Sequence, residues 1–259
     1  MQETLQDMKI RINPKYEPLR GYLLRLPARM DSEGTYIYGG RRNLIKSFTA
    51  PDGTVLNVKR YHVPHGPNRL IYSFGLRQPK GLRAFRYPTL LAARGIETPE
   101  PVAYLEERHG GLLGLSFFIS VQCPYAHRLY EVNEMAPEQY EPLAKALALF
   151  TAHMHDQQVL HCDYSPGNIL WDRKADGAYC FSIVDINRMR FGPVSMAAGC
   201  NSFRRLWGPK AFFRLLAREY ARHRGLDPAA CERLTLAYRR KFWTRYLKHH
   251  DMEFEVELD

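Results

Sequence analysis

Apolar and polar positions change period once along the chain, and the change divides it. From Thr35 onward they alternate in short runs. Thr35 to Tyr38 and Leu44 to Phe48 read as strands around the turn Gly39-Gly40-Arg41-Arg42-Asn43. Pro51-Asp52-Gly53 is a second turn, and Thr54 to Tyr61 alternates as a third strand. Leu82, Phe85, Leu90, Leu91 and Ala93 predict a helix from Pro79 to Arg94, bent or started at Tyr87-Pro88 and ended by Gly95. Val102 to Leu105 and Leu112 to Val121 are two more strands around His109-Gly110-Gly111. The expectation is a five-stranded antiparallel sheet with one helix.

Beyond Cys123-Pro124, a hinge, the period becomes helical. Leu143, Ala144, Leu147, Phe150 and Met154 place a core-facing helix from Pro137 to about His155. Asn168 to Asp172 and Tyr179 to Val184 read as short strands about Asp176-Gly177. Phe212, Leu215, Leu216 and Tyr220 mark a helix ended by Gly225, and Asp227-Pro228 starts another that runs to about His249. The fold class is α+β, in three segments: an extension (1–34) without clear period, a sheet lobe (35–122) and a mainly helical lobe (123–259). Glu253, Glu255 and Glu257 alternate with Phe254, Val256 and Leu258 as an edge strand or a frayed end.

Composition narrows the setting. With 259 residues and 45% apolar content the chain can bury a sizeable core. No stretch approaches the roughly 18 to 20 apolar residues of a membrane span, and Met1 to Ile10 lacks the apolar run of a secretory signal. A cytoplasmic location is the default. Five scattered cysteines, an odd number without a C-x-x-C pair, suit free thiols; Cys162 reads as a half-buried structural residue. Between Phe203 and Lys248 lie 13 Lys and Arg against three acids, enough to account for the whole net charge of +10. Such a surface suits a polyanion: nucleic acid, anionic lipid or an acidic saccharide.

The stretch His161-Cys162-Asp163-Tyr164-Ser165-Pro166-Gly167-Asn168-Ile169-Leu170 carries the chemistry. Asp163 and Asn168 sit five apart around a Pro-Gly turn, and Asp185 ends a second strand. Three oxygen ligands of this kind suit Mg2+ and a triphosphate. Gly39 and Gly40 would let backbone N–H groups approach a phosphate, with Arg41 beside them, and Lys59 on the third strand could grip one. His153 and His155, two apart on a helix, point to different faces and are not read as metal ligands.

Element order and the spacing of His161, Asp163, Asn168 and Asp185 resemble the bilobal protein-kinase-like fold. More closely, the chain resembles the lipopolysaccharide kinase (Kdo/WaaP) family. The match runs through Asn57-Val58-Lys59-Arg60-Tyr61, Gly95-Ile96-Glu97-Thr98-Pro99-Glu100-Pro101-Val102, the His161 to Leu170 loop and Asp185-Ile186-Asn187-Arg188-Met189-Arg190-Phe191. The resemblance implies that Asp163 takes the proton of an acceptor hydroxyl, that His161 braces the loop, and that Asn168 and Asp185 hold Mg2+ on ATP. Lys59 would pair with the α- and β-phosphates, and Val121 and Gln122 fall where such kinases grip adenine. The implied acceptor is a Kdo or heptose hydroxyl of the lipopolysaccharide inner core, at the inner face of the cytoplasmic membrane. There the basic helices would meet an anionic surface. Alternatives are a kinase of another small alcohol or of protein Ser/Thr, and a weakly catalytic pseudokinase-like scaffold. A nucleic-acid partner would leave the acid centre without a role. One departure stands out: between Lys59 and Ile96 there is no acidic residue to orient the lysine.

Overall fold

The computed structural model describes residues 8–39, 43–252 and 256–258, and it divides into two compact units. The first comprises the described residues up to Ala93 with Thr98–Pro124; the second comprises Arg94–Glu97 and the described residues from Tyr125 onward.

The first unit contains β1 (Met8–Ile12), α1 (Arg20–Leu23), α2 (Leu26–Arg29), β2 (Thr35–Gly39), β3 (Asn43–Thr49) and β4 (Val55–Tyr61), followed by α3 (Pro67–Ser73), α4 (Lys80–Ala92), β5 (Pro101–His109) and β6 (Leu112–Val121). One antiparallel sheet runs in the order β1-β5-β6-β4-β3-β2. The five expected strands are all in it. The sixth, β1, comes from the segment in which the sequence showed no period, and pairs Met8 with Glu107 and Ile12 with Ala103. Gly110 and Gly111 turn β5 into β6 with φ of 57° and 79°, the left-handed pair a two-residue hairpin requires.

The two faces of this sheet are covered differently. Leu19, Leu23, Leu26 and Met30 are buried against Leu56, Val58, Leu105, Phe117 and Ile119 on one face. Removing that much apolar surface from water, about 1.5–3 kcal/mol per fully buried side chain, makes this segment part of the core. On the other face α4 lies close. A Cβ on Gly81 would come within 2.7 Å of the Tyr104 ring and 3.3 Å of Tyr61. Tyr61 is two residues from Lys59, so the lysine shares the α4 face. The helix is continuous through Pro88, which is buried inside it and neither starts nor breaks it.

The second unit contains β7 (His127–Arg128), α5 (Pro137–Asp156), β8 (Val159–His161), β9 (Ile169–Arg173), β10 (Tyr179–Ile183), β11 (Met189–Phe191), α6 (Met196–Ser202), α7 (Lys210–His223) and α8 (Pro228–Tyr246). Helix α5 packs on α7, and α7 on α8. Leu143, Ala144, Leu147, Ala148 and Met154 of α5 are buried, as the spacing requires. Two small sheets, β10-β9-β7 and β11-β8, lie in the same unit. The tail forms no strand at residues 256–258. Instead Glu257 accepts a hydrogen bond from the Lys210 backbone N–H at 2.6 Å, capping the first turn of α7. The remaining acids of the expected tail pattern, Glu253 and Glu255, lie outside the described residues with Phe254.

Candidate active site

In the second unit, β8 delivers the chain into the motif and β11 lies antiparallel beside it, with Met189 opposite His161. His161 is 1% exposed. Its Nδ1 accepts from the Asp163 backbone N–H at 3.1 Å, which makes Nε2 the protonated nitrogen that donates to the Val184 carbonyl at 3.0 Å. Burial holds its pKa below the ordinary histidine value, against the pull of that carbonyl and of the Asp185 and Asp163 charges. A neutral imidazole thus ties the backbone at Asp163 to the residue just before Asp185.

Asn168 closes the loop from its other end. Its Nδ2 donates to the Asp163 carbonyl at 2.8 Å, and its own carbonyl accepts from Val184 N–H at 3.0 Å. With Nδ2 used as a donor, Oδ1 is the atom a cation would take. Inside the loop Tyr164 is buried, its hydroxyl 2.8 Å from Thr151 of α5. Gly167 passes beneath Tyr130 so closely that a Cβ would fall 2.9 Å from that ring. Cys162 is exposed, where a half-buried residue was expected. Tyr164 takes the inward position, and the tight turn leaves Cys162 facing solvent.

Asp185 has φ of 55° and ψ of 40°. Only Gln158 shares a positive φ among the described non-glycine residues. A left-handed aspartate costs backbone energy and re-aims the side chain. Asn187 holds it there by donating to Oδ1. Asp163 and Asn168, five residues apart, are therefore linked through His161 and Val184 to Asp185 in one hydrogen-bonded assembly. Asn168 Oδ1 and the Asp185 carboxylate are hard oxygen donors of the type that could hold Mg2+.

Around Asp163 the structure adds residues that sequence reasoning missed. Arg188 faces Oδ2 at 3.4 Å, and Arg205 pairs with Oδ1. Arg204 stands beside them, donating to the Asn201 carbonyl at 2.9 Å. Burial and the neighbouring Arg205 hold its pKa below the usual arginine value, partly offset by Asp163. The local charge excess was readable from the run of arginines, but the convergence of Arg205 on a carboxylate 42 residues away was not.

In the first unit, Lys59 lies in β4 opposite Ile45 of β3 and Phe118 of β6. Its Nζ is 5.3 Å from the Tyr61 ring centre. Phe118 in turn faces Tyr104, and the next row sets Glu106 opposite Ser116, so Glu106 shares the face of Lys59 and α4. Glu106 is 2% exposed and is bonded to Arg108 at 2.6 Å and to the Tyr104 hydroxyl. The Val121 N–H donates to Glu100 and the Gln122 N–H to Val55, so the amides of both residues are committed within the unit. The Gln122 side chain accepts from Asn57 at 2.8 Å. Gly39 ends β2, with its carbonyl 3.3 Å from the Tyr36 hydroxyl. Gly40 and Arg41 lie outside the described residues.

Element order and topology belong to the protein-kinase-like class of phosphotransferases, and solved structures share the fold. WaaP in complex with acyl carrier protein matches with TM-score 0.56 at 17% identity, over 92% of this chain and 99% of that one. The amicoumacin kinase hAmiN in complex with AMP-PNP, Ca2+ and Ami matches with TM-score 0.54 at 11% identity, over 91% and 88%. The Rio2 kinase-ADP/Mg2+-phosphoaspartate complex from Chaetomium thermophilum matches with TM-score 0.50 at 16% identity, over 93% and 78%. A search of curated protein sequences found no match. The model of the lipopolysaccharide kinase (Kdo/WaaP) family matches residues 38–194, more than half of the chain, and the protein belongs to that family. It is a kinase.

Proposed function

We propose that the protein transfers the γ-phosphoryl group of ATP to a sugar hydroxyl, of Kdo or a heptose, in the lipopolysaccharide inner core. The observation that carries this reading is the His161–Val184 tie, which joins Asp163 and Asn168 to the strand leading into Asp185. Asp163 is the base that takes the hydroxyl proton, and His161 is the positioning residue that fixes its backbone. Asn168 Oδ1 and the Asp185 carboxylate would hold Mg2+. When bound, that ion supplies charge neutralisation on the triphosphate. Lys59 is the cation for the α- and β-phosphates, and Gly39 at the end of β2, with Gly40 and Arg41 next in sequence, is the phosphate-covering segment. The adenine edge would meet the carbonyl side of Val121 and Gln122, whose N–H groups are already bonded.

The setting follows from charge. Arg233, Arg240, Lys241 and Arg245 line one side of α8, with Lys248 just beyond its end, a surface suited to anionic headgroups or to the acidic glycolipid itself. Among the described residues no helix is long and apolar enough to cross a membrane, so the reading is peripheral attachment at the inner face of the cytoplasmic membrane. The test is phosphate transfer from labelled ATP to a Kdo-bearing lipid A acceptor. Transfer by the wild type and none by Asp163→Ala is the expected result; equal turnover by the variant would sink the assignment.

A further inference from the structure

Asp163 sits in an arrangement that cannot be the one in which it works. Each of its oxygens already faces a guanidinium group, Oδ1 that of Arg205 and Oδ2 that of Arg188. A hydroxyl that is to hand over its proton must reach one of these oxygens, and an arginine must give way. The displaced guanidinium favours another anion, and Arg205, with 35% of its side chain exposed, does so more than the half-exposed Arg188. Arg204, bonded to the Asn201 carbonyl, adds a third cation beside the pair, and the ion pairs of both Arg188 and Arg205 are made with Asp163. The site carries more positive charge than its own carboxylate neutralises, on elements that flank the base.

We propose that Arg205 and Arg188 form an oxyanion-binding subsite for the acceptor: a carboxylate or phosphate beside the accepting hydroxyl takes over their guanidinium groups and thereby frees Asp163. The inference rests on the reading of Asp163 as the base and adds a requirement to it, that the acceptor carry a negative charge close to the hydroxyl. In the transfer step the hydroxyl gives its proton to Asp163 and its oxygen bonds to the γ-phosphorus. The bond from that phosphorus to the β–γ bridging oxygen breaks, and ADP leaves with the electron pair. Before the acceptor arrives, the arginines keep the base occupied, which limits wasteful transfer to water. Arg205 is well built for this exchange. It rests over the Phe242 ring of α8 at 5.7 Å, so its stem has a support that does not depend on Asp163.

The test compares a Kdo-bearing acceptor with its carboxylate methyl ester in wild type, Arg205→Gln, Arg205→Lys and Arg188→Gln. The wild type should prefer the free acid through KM, by about tenfold to a hundredfold, the worth of one charge-assisted hydrogen bond. Arg205→Gln should erase that preference with the KM for ATP unchanged, and Arg205→Lys should restore part of it. If the glutamine variant instead raises the KM for ATP and keeps the preference, the arginines serve the nucleotide and the proposal falls. A second readout needs no turnover: the Nε–H resonance of Arg205 in the 15N-arginine-labelled protein, titrated with free Kdo and with Kdo methyl ester. A shift saturating with the acid alone supports the subsite even if no glycolipid is phosphorylated, which would overturn only the acceptor assignment. No difference between acid and ester overturns the subsite, whatever the transfer assay gives.

Discussion

The two units hold their functional side chains by opposite means. In the second unit the backbone at Asp163, Asn168 and the strand leading into Asp185 are tied by part-buried hydrogen bonds around one neutral histidine, so the proposed chemistry and local stability share one network. In the first unit Lys59 is set by register in a six-stranded sheet, and the core beneath it lies on the opposite face. A loop that must aim several oxygens needs a dense network, whereas one cation on a long stem needs only a rigid strand. Activity and folding should therefore separate at Lys59 and at the Asp163 carboxylate, which lies outside those ties, and fall together at His161.

The largest effect expected is on turnover. Asp163→Asn should lower kcat by about 10²- to 10⁴-fold, the usual worth of a general base, while circular dichroism melting moves little because the side chain is not part of the buried ties. Lys59→Met should cost on the order of 10²- to 10³-fold in kcat/KM with the melting temperature unchanged. A large drop in Tm would show that the lysine also supports the sheet. His161→Phe should break the separation. It strands the Asp163 N–H and the Val184 carbonyl, costing about 2–4 kcal/mol in denaturant titrations, and activity should fall with it. Loss of activity without loss of stability would mean that His161 touches the substrate.

Acid should act on the same unit. His155 is buried against Tyr220, and burial, with repulsion from Arg224 and Arg190, pushes its pKa down to about 3. The unfolded chain binds a proton near the ordinary histidine pKa that the folded chain refuses, so stability falls as pH drops from about 6.5 toward 3. His161 shifts in the same direction and adds to the slope. Urea midpoints measured between pH 7 and pH 4.5 should decline, and less steeply in His155→Gln; a flat profile would contradict the burial of both rings. The smallest effect is Gly167→Ala, which pushes a methyl group against Tyr130 and should cost about 1–3 kcal/mol, with Tyr130→Ala restoring most of it.

Much of this was legible beforehand. Short apolar runs between turn signals marked β2 to β6, helical spacing marked α4, α5, α7 and α8, and the candidate loop stood out through residues within one turn of each other. What escaped notice escaped for physical reasons. Leu19, Leu23, Leu26 and Met30 do follow a helical stripe, but Pro18 and Pro27 cut it into single turns too short to register as a helix. Strand β1 is a half-exposed edge with Lys9 and Arg11 facing outward, so its apolar signal is only three residues long. Arg205 read as part of a generally basic surface and Arg188 as part of the Asp185 to Phe191 motif; that both meet Asp163 depends on packing between distant segments, which no local pattern encodes.

The hydrogen bond from Glu257 to the start of α7 has a practical side. The same residue's carbonyl receives Arg239, a guanidinium 2% exposed whose other bond goes to the Gly208 carbonyl at 3.0 Å. Glu257 thus acts as a latch across α7 and α8. Removing the segment from residue 256 onward would open that latch, leaving a cation stranded between two helices, and a thermal melt of the truncated protein would report how much the helical layer leans on Glu257.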